Sequence, residues 1–382
     1  MRAREPSAHT GRAPAARIRR RTLLTAAAPA VLLLGACGQE PSGVCTPAEE
    51  LDPTETAPGQ EEHGSVSENG DPFVPSENAR LSERGLALSP DGSQLAANEW
   101  WERRMLGLTE TSGTTLWDTA TGEITARLDN DRHDALAWHP GGSVLAIGGG
   151  SEIDLTDPDG TLRWRLTGHA EGRNGRTEIL DLAFRPDGEQ LASLGSDGTV
   201  RLWATGSPGC SVQQVIRVRR MEATSLSYSP DGEALAICGP GGAPELWGPR
   251  TGRRSSRLRD IEGTPHGLTH APDGSLLIGH SEPTGVTIVQ ADGTSQQGAV
   301  PLSQRPCSLA VGPEHQVAVG GENDNQVMVW NLRTDEREDL PRVPGSLGRL
   351  RWAPDGDVLY GVSRLEGVVA WDGTGWTTFE QP

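Results

Sequence analysis

The sequence predicts an all-β protein made of seven copies of a four-stranded unit, and three observations support this prediction. The pattern L-x-Φ-x-P-D-G, in which Φ is usually aromatic or aliphatic, occurs seven times in clear or altered form. The 49 glycines and 28 prolines supply many turns, and several of the 11 tryptophans end short strand-like segments. The prolines of the pattern recur every 41 to 50 residues, a period typical of the blades of a β-propeller. They are Pro90, Pro140, Pro186, Pro230, Pro272, Pro313 and Pro354.

Each copy has the same internal order of strands and turns, which is clearest in residues 182–203. The first strand alternates, so that Leu182 and Phe184 share one face. In the Pro-Asp-Gly turn that follows, proline presets φ and glycine supplies a positive φ. A second strand, a third strand ending at Trp203 and a more polar fourth strand complete the unit. Because one such sheet cannot bury both of its faces, the sequence predicts a closed seven-bladed β-propeller over residues 77–382.

The sequence leaves open how this ring closes. Residues 376–380 could supply the outermost strand of the last blade alone. Alternatively, residues 72–75 could reach back from the N-terminal side to complete that blade.

The third copy resembles the WD40 repeat family. Gly168 and His169 stand where that family places its Gly-His pair, and Trp203 stands at its tryptophan. The resemblance implies that four side chains share a structural hydrogen-bond network, namely those of His169, Ser193, Asp197 and Trp203. Only this copy carries the Gly-His pair, and the strands at 153–155 and 287–289 lack the tryptophan. The resemblance extends over residues 77–382 and implies the propeller fold, while complete networks in the other blades are not expected.

Residues 1–36 have the features of an export signal. A basic segment precedes an apolar run at 22–36, whose 15 residues fall short of the roughly 18–20 needed to span a bilayer. The sequence L-G-A-C at 34–37 resembles the bacterial lipobox, which implies that Cys37 is lipidated. R-R-T-L-L at 20–24 resembles a twin-arginine export signal. We therefore expect a lipid-anchored protein on the extracytoplasmic face of the cell membrane.

Residues 37–76 are predicted to be a disordered acidic linker. The wider segment 38–79 contains ten acidic and no basic residues, and its apolar residues follow neither a strand nor a helix period. A linker of this kind would act as a spacer between the lipid anchor and the propeller.

Composition and motifs exclude several classes of function. The chain contains no lysine, which excludes P-loop, Schiff-base and kinase-type lysine chemistry. The net charge of −18 argues against a nucleic-acid partner. H-E-x-x-H is absent, and G-H-S-E-P at 279–283 departs from G-x-S-x-G at its last position. We therefore predict no catalytic residue, no metal and no cofactor.

These observations predict a monomeric, non-catalytic scaffold that binds a protein or another component of the cell envelope. Two alternatives stay open because propellers serve many functions. One is a lactonase-like hydrolase, which would need carboxylates to converge with His266, His270 and His280 at the central mouth of the ring. The other is a sensor that binds a small anion at that mouth.

The strongest candidate for partner binding is an insertion between the second and third strands of the first blade. It contains Trp100, Trp101, Arg103 and Arg104, residue types that are enriched at the centres of protein interfaces. In an extended segment, the adjacent tryptophans cannot both face one core. Either they form an exposed interface, or both pack down onto the ring beneath a long loop.

Arginines in the connections that enter the first strands form a second candidate. In the WD40 arrangement, these connections lie on the same face as the insertion. They could hold carboxylate or phosphate groups, or they could be solvated charges that balance nearby acids. The arginines are Arg132, Arg173, Arg176, Arg219, Arg220, Arg259, Arg305 and Arg342.

The histidines and cysteines permit further interpretations. His266 and His270 fall on one face of a first strand. They could be a pair of metal ligands or packed core residues, and the core interpretation is favoured because His270 occupies a position that is apolar or aromatic in other copies. Cys238 and Cys307 lie on strands and are predicted to be buried. Cys45 and Cys210 could form a disulfide in an oxidising compartment, although the four cysteines other than Cys37 allow three pairings.

Overall fold

A computed structural model describes residues 43–51, 80–103, 109–129, 135–172, 175, 177–206, 210–218, 222–299, 306–321, 325–363 and 365–379. These residues form seven antiparallel sheets, each built from four strands that follow one another in the chain, and one sheet gains a fifth strand. The predicted seven-bladed, all-β fold is confirmed. The predicted signal peptide at 1–36, residues 37–42 and residues 52–79 lie outside the described residues.

The strands are numbered in chain order. The additional strand is β1 (Val44–Pro47). Blade 1 contains β2 (Arg80–Leu88), β3 (Gln94–Arg103), β4 (Thr109–Asp118) and β5 (Ile124–Asp129). Blade 2 contains β6 (Ala135–Trp138), β7 (Leu145–Gly149), β8 (Glu152–Thr156) and β9 (Leu162–Thr167). Blade 3 contains β10 (Ile179–Phe184), β11 (Gln190–Gly195), β12 (Thr199–Ala204) and β13 (Ser211–Arg217).

The remaining blades repeat this order. Blade 4 contains β14 (Ser225–Tyr228), β15 (Leu235–Gly239), β16 (Gly242–Gly248) and β17 (Arg253–Arg257). Blade 5 contains β18 (Thr264–His270), β19 (Leu276–Ser281), β20 (Gly285–Val289) and β21 (Ser295–Ala299). Blade 6 contains β22 (Pro306–Val311), β23 (Gln316–Gly321), β24 (Val327–Asn331) and β25 (Arg337–Asp339). Blade 7 contains β26 (Leu347–Trp352), β27 (Leu359–Ser363), β28 (Gly367–Trp371) and β29 (Trp376–Thr378). Short 3₁₀ turns lie at Ala48–Glu50 and Pro313–His315.

The first strand of every blade lies on the inside of the ring. Each first strand contacts the first strands of the two neighbouring blades, from β2 through β26 and back to β2. These seven strands therefore surround the central channel, and the fourth strands form the outer wall.

The Pro-Asp-Gly turns are fixed by their own side chains. In blade 1, the Ser89 hydroxyl donates to Asp91 Oδ1 at 2.6 Å, and the Ser93 amide donates to the same oxygen at 3.1 Å. These hydrogen bonds hold the pKa of Asp91 below its usual range. Gly92 has φ +75°, a left-handed conformation that favours glycine. This local chemistry explains why the turn is the most regular part of the repeat.

Blade 7 packs against blade 1 where the ring closes. Among the described residues, β29 pairs with β28 and is the outermost strand of blade 7, while residues 72–75 of the second closure alternative lie outside the described residues. Leu86 and Trp117 of blade 1 share a buried cluster with Tyr360 of blade 7, and Phe379 packs against this cluster. Hydrophobic packing therefore holds the two ends of the propeller together.

Residues 43–51 correct the prediction of a disordered linker over 37–76. β1 pairs antiparallel with β9, from Val44 opposite Thr167 to Pro47 opposite Trp164, and becomes a fifth strand of blade 2. Cys45 forms a disulfide with Cys210, and both cysteines pack against the cluster between blades 2 and 3. The prediction was wrong here because a strand of four residues is too short to show a sequence periodicity. The strand is held in place by the edge of β9 and by the disulfide.

Candidate functional site

The four residues that the WD40 resemblance implies form a continuous hydrogen-bond network in blade 3. Trp203 Nε1 donates to Ser193 Oγ at 2.9 Å, and His169 Nε2 lies 2.8 Å from the same oxygen. His169 Nδ1 lies 3.2 Å from Asp197 Oδ1, which also accepts from the Thr199 hydroxyl at 2.7 Å. Because a carboxylate only accepts, Nδ1 carries the proton, and neutral His169 accepts at Nε2 from the Ser193 hydroxyl.

Burial determines the charge states in this network. It lowers the pKa of His169, and the hydrogen bond and charge of Asp197 offset this only in part. Burial alone would raise the pKa of Asp197, but the hydrogen bonds that its carboxylate accepts, from His169 first and then from Thr199, outweigh burial and hold this pKa well below its usual range. Neutral His169 and ionised Asp197 at neutral pH therefore match the hydrogen-bond directions above.

The network also shows which loops share one end of the ring. His169 lies in the connection that enters blade 3, and Asp197 lies in the turn between β11 and β12. The same kind of contact recurs in blade 4, where the Thr224 amide donates to the Cys238 carbonyl at 2.8 Å. In blade 7, the Ser363 hydroxyl donates to the Pro344 carbonyl at 2.6 Å. We call this end of the propeller, formed by the entering connections and the second-to-third-strand turns, the loop face.

The insertion of blade 1 is an extended hairpin rather than a long loop. β3 has ten residues, whereas the equivalent β11 has six, and its pairing with β4 continues to Arg103 opposite Thr109. The backbones of Trp100 and Trp101 therefore lie in a strand that continues past the ends of the other second strands at the loop face. Arg103 ends that strand, and Arg104 lies outside the described residues.

The predicted arginine rim is described at two positions. Arg259 and Arg342 lie in entering connections and are exposed. The other six arginines of this prediction lie outside the described residues, so the rim stays a prediction. They are Arg132, Arg173, Arg176, Arg219, Arg220 and Arg305.

The histidines of blade 5 bind separate partners. His266 Nε2 lies 2.8 Å from the Ser281 hydroxyl, and His270 Nδ1 lies 3.2 Å from the Ser227 hydroxyl. Burial lowers the pKa of His270 to about 4. His280 Nδ1 donates to the Pro283 carbonyl at 2.7 Å. Across the described ranges, no group of three or more His, Cys, Asp or Glu side chains gathers as a metal site would require.

The cysteines divide into a disulfide and a buried thiol. The structure selects Cys45–Cys210 from the three pairings that the sequence allowed. Cys238 is fully buried on β15, and burial raises the pKa of its thiol, which makes it unreactive. Cys307 lies on β22, and Cys37 lies outside the described residues.

The central channel contains charged residues that the sequence analysis did not single out. Arg349 of β26 donates from Nη2 to Asp181 Oδ1 of β10 at 2.7 Å. Blades 3 and 7 are not neighbours, so this ion pair crosses the channel. A signal was present in the repeat itself, because most first strands carry small residues beside the leucine of the pattern, whereas Asp181, Arg349 and Arg351 occupy three of these positions.

Comparisons with known proteins agree with this architecture. Residues 160–204 match the family model described as WD domain, G-beta repeat. This segment contains the whole hydrogen-bond network of blade 3. The protein is a seven-bladed β-propeller, and its third blade is similar to the WD40 repeat. In the part of the chain that the structure describes, no helix is long and apolar enough to cross a membrane.

Two curated proteins resemble part of the propeller. The anaphase-promoting complex subunit cdh1 of Dictyostelium discoideum is 30% identical over 136 residues, which are 33% of this chain and 17% of that protein. The periodic tryptophan protein 2 homolog of Neurospora crassa is 29% identical over 131 residues, 33% of this chain and 13% of that protein. The alignments therefore span less than a fifth of the length of these relatives.

Proposed function

We propose that this protein is a non-catalytic propeller that binds a protein partner through its loop face. The observation that carries the proposal is the extended hairpin of blade 1, which continues the β3–β4 pairing four residues beyond the length of β11. The sequence at 100–105 contains two tryptophans, two arginines and a methionine, a composition typical of interface hot spots. Backbone pairing of β3 with β4 would reduce the ordering cost of binding through these residues.

The similarity to known proteins supports a binding role. WD40-like propellers commonly act as protein-binding scaffolds, and one of the two relatives, cdh1, is a subunit of the anaphase-promoting complex. The hydrolase alternative would require His266, His270 and His280 to converge with carboxylates. In the structure, the hydrogen bonds described above join these histidines to two serine hydroxyls and one backbone carbonyl.

We also propose that the protein is tethered through lipidated Cys37 to the extracytoplasmic face of the cell membrane. The Cys45–Cys210 disulfide supports this location, because disulfides persist mainly in oxidising compartments. Six residues, 38–43, separate Cys37 from Val44. A chain of that length spans at most about 25 Å. The pairing of β1 with β9 and the Cys45–Cys210 disulfide would therefore keep the outer edge of blade 2 within this distance of lipidated Cys37.

The tether is tested by labelling cells with a radioactive or clickable fatty acid. We expect the full-length protein to incorporate the label and Cys37→Ala to lose it, whereas Cys238→Ala, which removes a buried thiol, keeps it. Labelling that persists in Cys37→Ala would refute lipidation at this position.

The binding face is tested by capture from intact cells after cross-linking. The test variant is Trp100→Ala with Trp101→Ala. The control is Leu365→Ala, which removes a 73%-exposed apolar side chain from the loop face of blade 7. We expect one protein to be captured by the wild type and the control and to be lost with the double variant. Capture that is unchanged in the double variant would place the binding site elsewhere.

A further inference from the structure

The innermost positions of the ring follow a pattern that three residues break. On each first strand, the residues immediately before and after the leucine of the repeat occupy equivalent positions. Eleven of these fourteen residues are Gly, Ala, Ser or Thr. They are Gly85, Ala87, Ala135, Ala137, Ala183, Ser225, Ser227, Gly267, Thr269, Ser308 and Ala310. The exceptions are Asp181, Arg349 and Arg351, so all the charge of this layer comes from two blades that do not adjoin.

Arg349 and Asp181 neutralise each other across the channel. The side chain of Asp181 is 3% exposed and that of Arg349 is 23% exposed. Asp181 also accepts hydrogen bonds from two backbone amides, from Leu226 to Oδ2 at 2.9 Å and from Leu182 to Oδ1 at 3.1 Å. Its acceptor capacity is therefore largely used by groups of the protein.

Arg351 adds a second positive charge to this site. It lies two residues from Arg349 on β26, so that both side chains leave the same face of the strand. Arg351 is partly buried, and its Nη1 donates to the Leu350 carbonyl at 2.9 Å. Burial, followed by the charge of Arg349, lowers the pKa of Arg351 to about 10, so the group stays charged at neutral pH. Among the described residues, the carboxylate whose charge raises the pKa of Arg351 is that of Asp181. This carboxylate already forms an ion pair with Arg349.

We propose that the central channel binds a small anion, held through a carboxylate or phosphate group by the guanidinium of Arg351. Two arginines and one aspartate leave an excess of one positive charge, and a partly buried charge is costly unless it is paired. A guanidinium offers a planar fork of donors that fits the oxygens of both groups. Ser227 and Thr269 occupy the same layer of the ring and place hydroxyls at the equivalent positions of blades 4 and 5. This site is separate from the loop face and goes beyond the proposed binding of a protein partner.

The site is tested by isothermal titration calorimetry on the full-length protein, purified in detergent and at low ionic strength. Sodium acetate and sodium phosphate are titrated separately, which distinguishes a carboxylate from a phosphate ligand. We expect one saturable site for at least one of them and about tenfold or greater weakening in Arg351→Met. Arg253→Ala, which removes an exposed arginine from the outer strand β17, should bind as the wild type does. The absence of saturable binding in the wild type, or unchanged affinity in Arg351→Met, would overturn the proposal.

Thermal unfolding separates ligand binding from a structural role of the same residue. Without added anion, Arg351→Met should unfold at a temperature no lower than the wild type, because an unbalanced charge has been removed. The bound anion should raise the unfolding temperature of the wild type and not that of the variant. Equal increases in both would overturn the proposal. Should Arg351→Met fail to fold, Arg351→Lys keeps the charge but not the fork, and it must also bind more weakly.

Discussion

Blades 3 and 6 both end their third strand in a fully buried tryptophan, but the two indoles are satisfied in different ways. Trp203 donates to Ser193 inside the blade, and Ser193 in turn contacts His169. Trp330 donates instead to Asp335, at 2.9 Å, in a turn at the surface. Both indoles are at most 1% exposed. The comparison shows that the shape of the tryptophan is kept in both blades, whereas the polar network around it can be exchanged.

Blade 5 extends this comparison to the loss of both polar partners. Val289 pairs with Leu276 in the register that Trp203 has with Leu191, and Ile278 stands at the position of Ser193. Replacing both members of a buried hydrogen bond with apolar groups leaves no unsatisfied donor or acceptor, so it costs little. Copies of the repeat that have lost the polar residues are therefore tolerated when the members of a network change together.

The largest expected effect comes from removing the shared packing. Trp203→Ala and Trp330→Ala should each lower the free energy of unfolding by about 3–5 kcal/mol, because each leaves a large cavity between blades. Chemical denaturation of the two variants measures this. A loss in blade 6 of less than half the loss in blade 3 would contradict the conclusion that packing, rather than the network, is the common requirement.

A smaller effect should separate the two blades. Ser193→Ala leaves Trp203 Nε1 and His169 Nε2 without their partner in a buried site, which costs about 1–3 kcal/mol. Asp335→Ala should change stability by less than about 0.5 kcal/mol, because Asp335 is exposed and water can replace it. Chemical denaturation of these two variants measures the difference between their losses of stability. Equal losses in the two variants would show that the network of blade 3 contributes nothing beyond an ordinary surface contact.

The smallest effect is a pH dependence near neutral pH that the buried histidine of blade 3 contributes. Because the pKa of buried His169 lies below its unfolded value of 6.5, the unfolded chain binds a proton first as the pH falls. Stability should therefore decrease as the pH drops below about 6.5. Asp197, with its lowered pKa, adds a loss only below its own unfolded value of 3.8.

The matched variant for this measurement is His169→Gln, studied by denaturation between pH 7 and pH 5. Its stability should depend less on pH than that of the wild type. Part of the dependence should remain, because burial also lowers the pKa of His270, to about 4. An unchanged dependence would show that His169 is not neutral in the folded state.

The ring was predictable from the sequence because its information is local and repeated. The turn at Ser89–Ser93 combines a proline, an aspartate and a glycine within five residues; the proline occurs in all seven copies, the glycine in six and the aspartate in five, whereas both flanking serines occur in this copy alone. β1 was not predictable in this way. Four residues of an acidic segment become a strand only because the edge of β9 and Cys210 lie beside them in the fold, and neither is near in sequence.

The candidate sites were predictable to different degrees. The network of blade 3 could be read residue by residue, because all of its members lie between His169 and Trp203. The hairpin of blade 1 was recognised as an insertion, but its continuation as paired strands followed from the register of β3 and β4. The charges of the channel were missed because Asp181 and Arg349 are 168 residues apart and meet only when the ring closes.

The most direct test of the proposed function is the affinity of the captured partner for the purified protein, measured with wild type, Leu365→Ala and the Trp100→Ala, Trp101→Ala double variant. If the hairpin of blade 1 is the binding element, the double variant should lose about tenfold or more in affinity, while Leu365→Ala should bind as the wild type does. Equal affinity for all three proteins would contradict the assignment of the loop face as the binding surface.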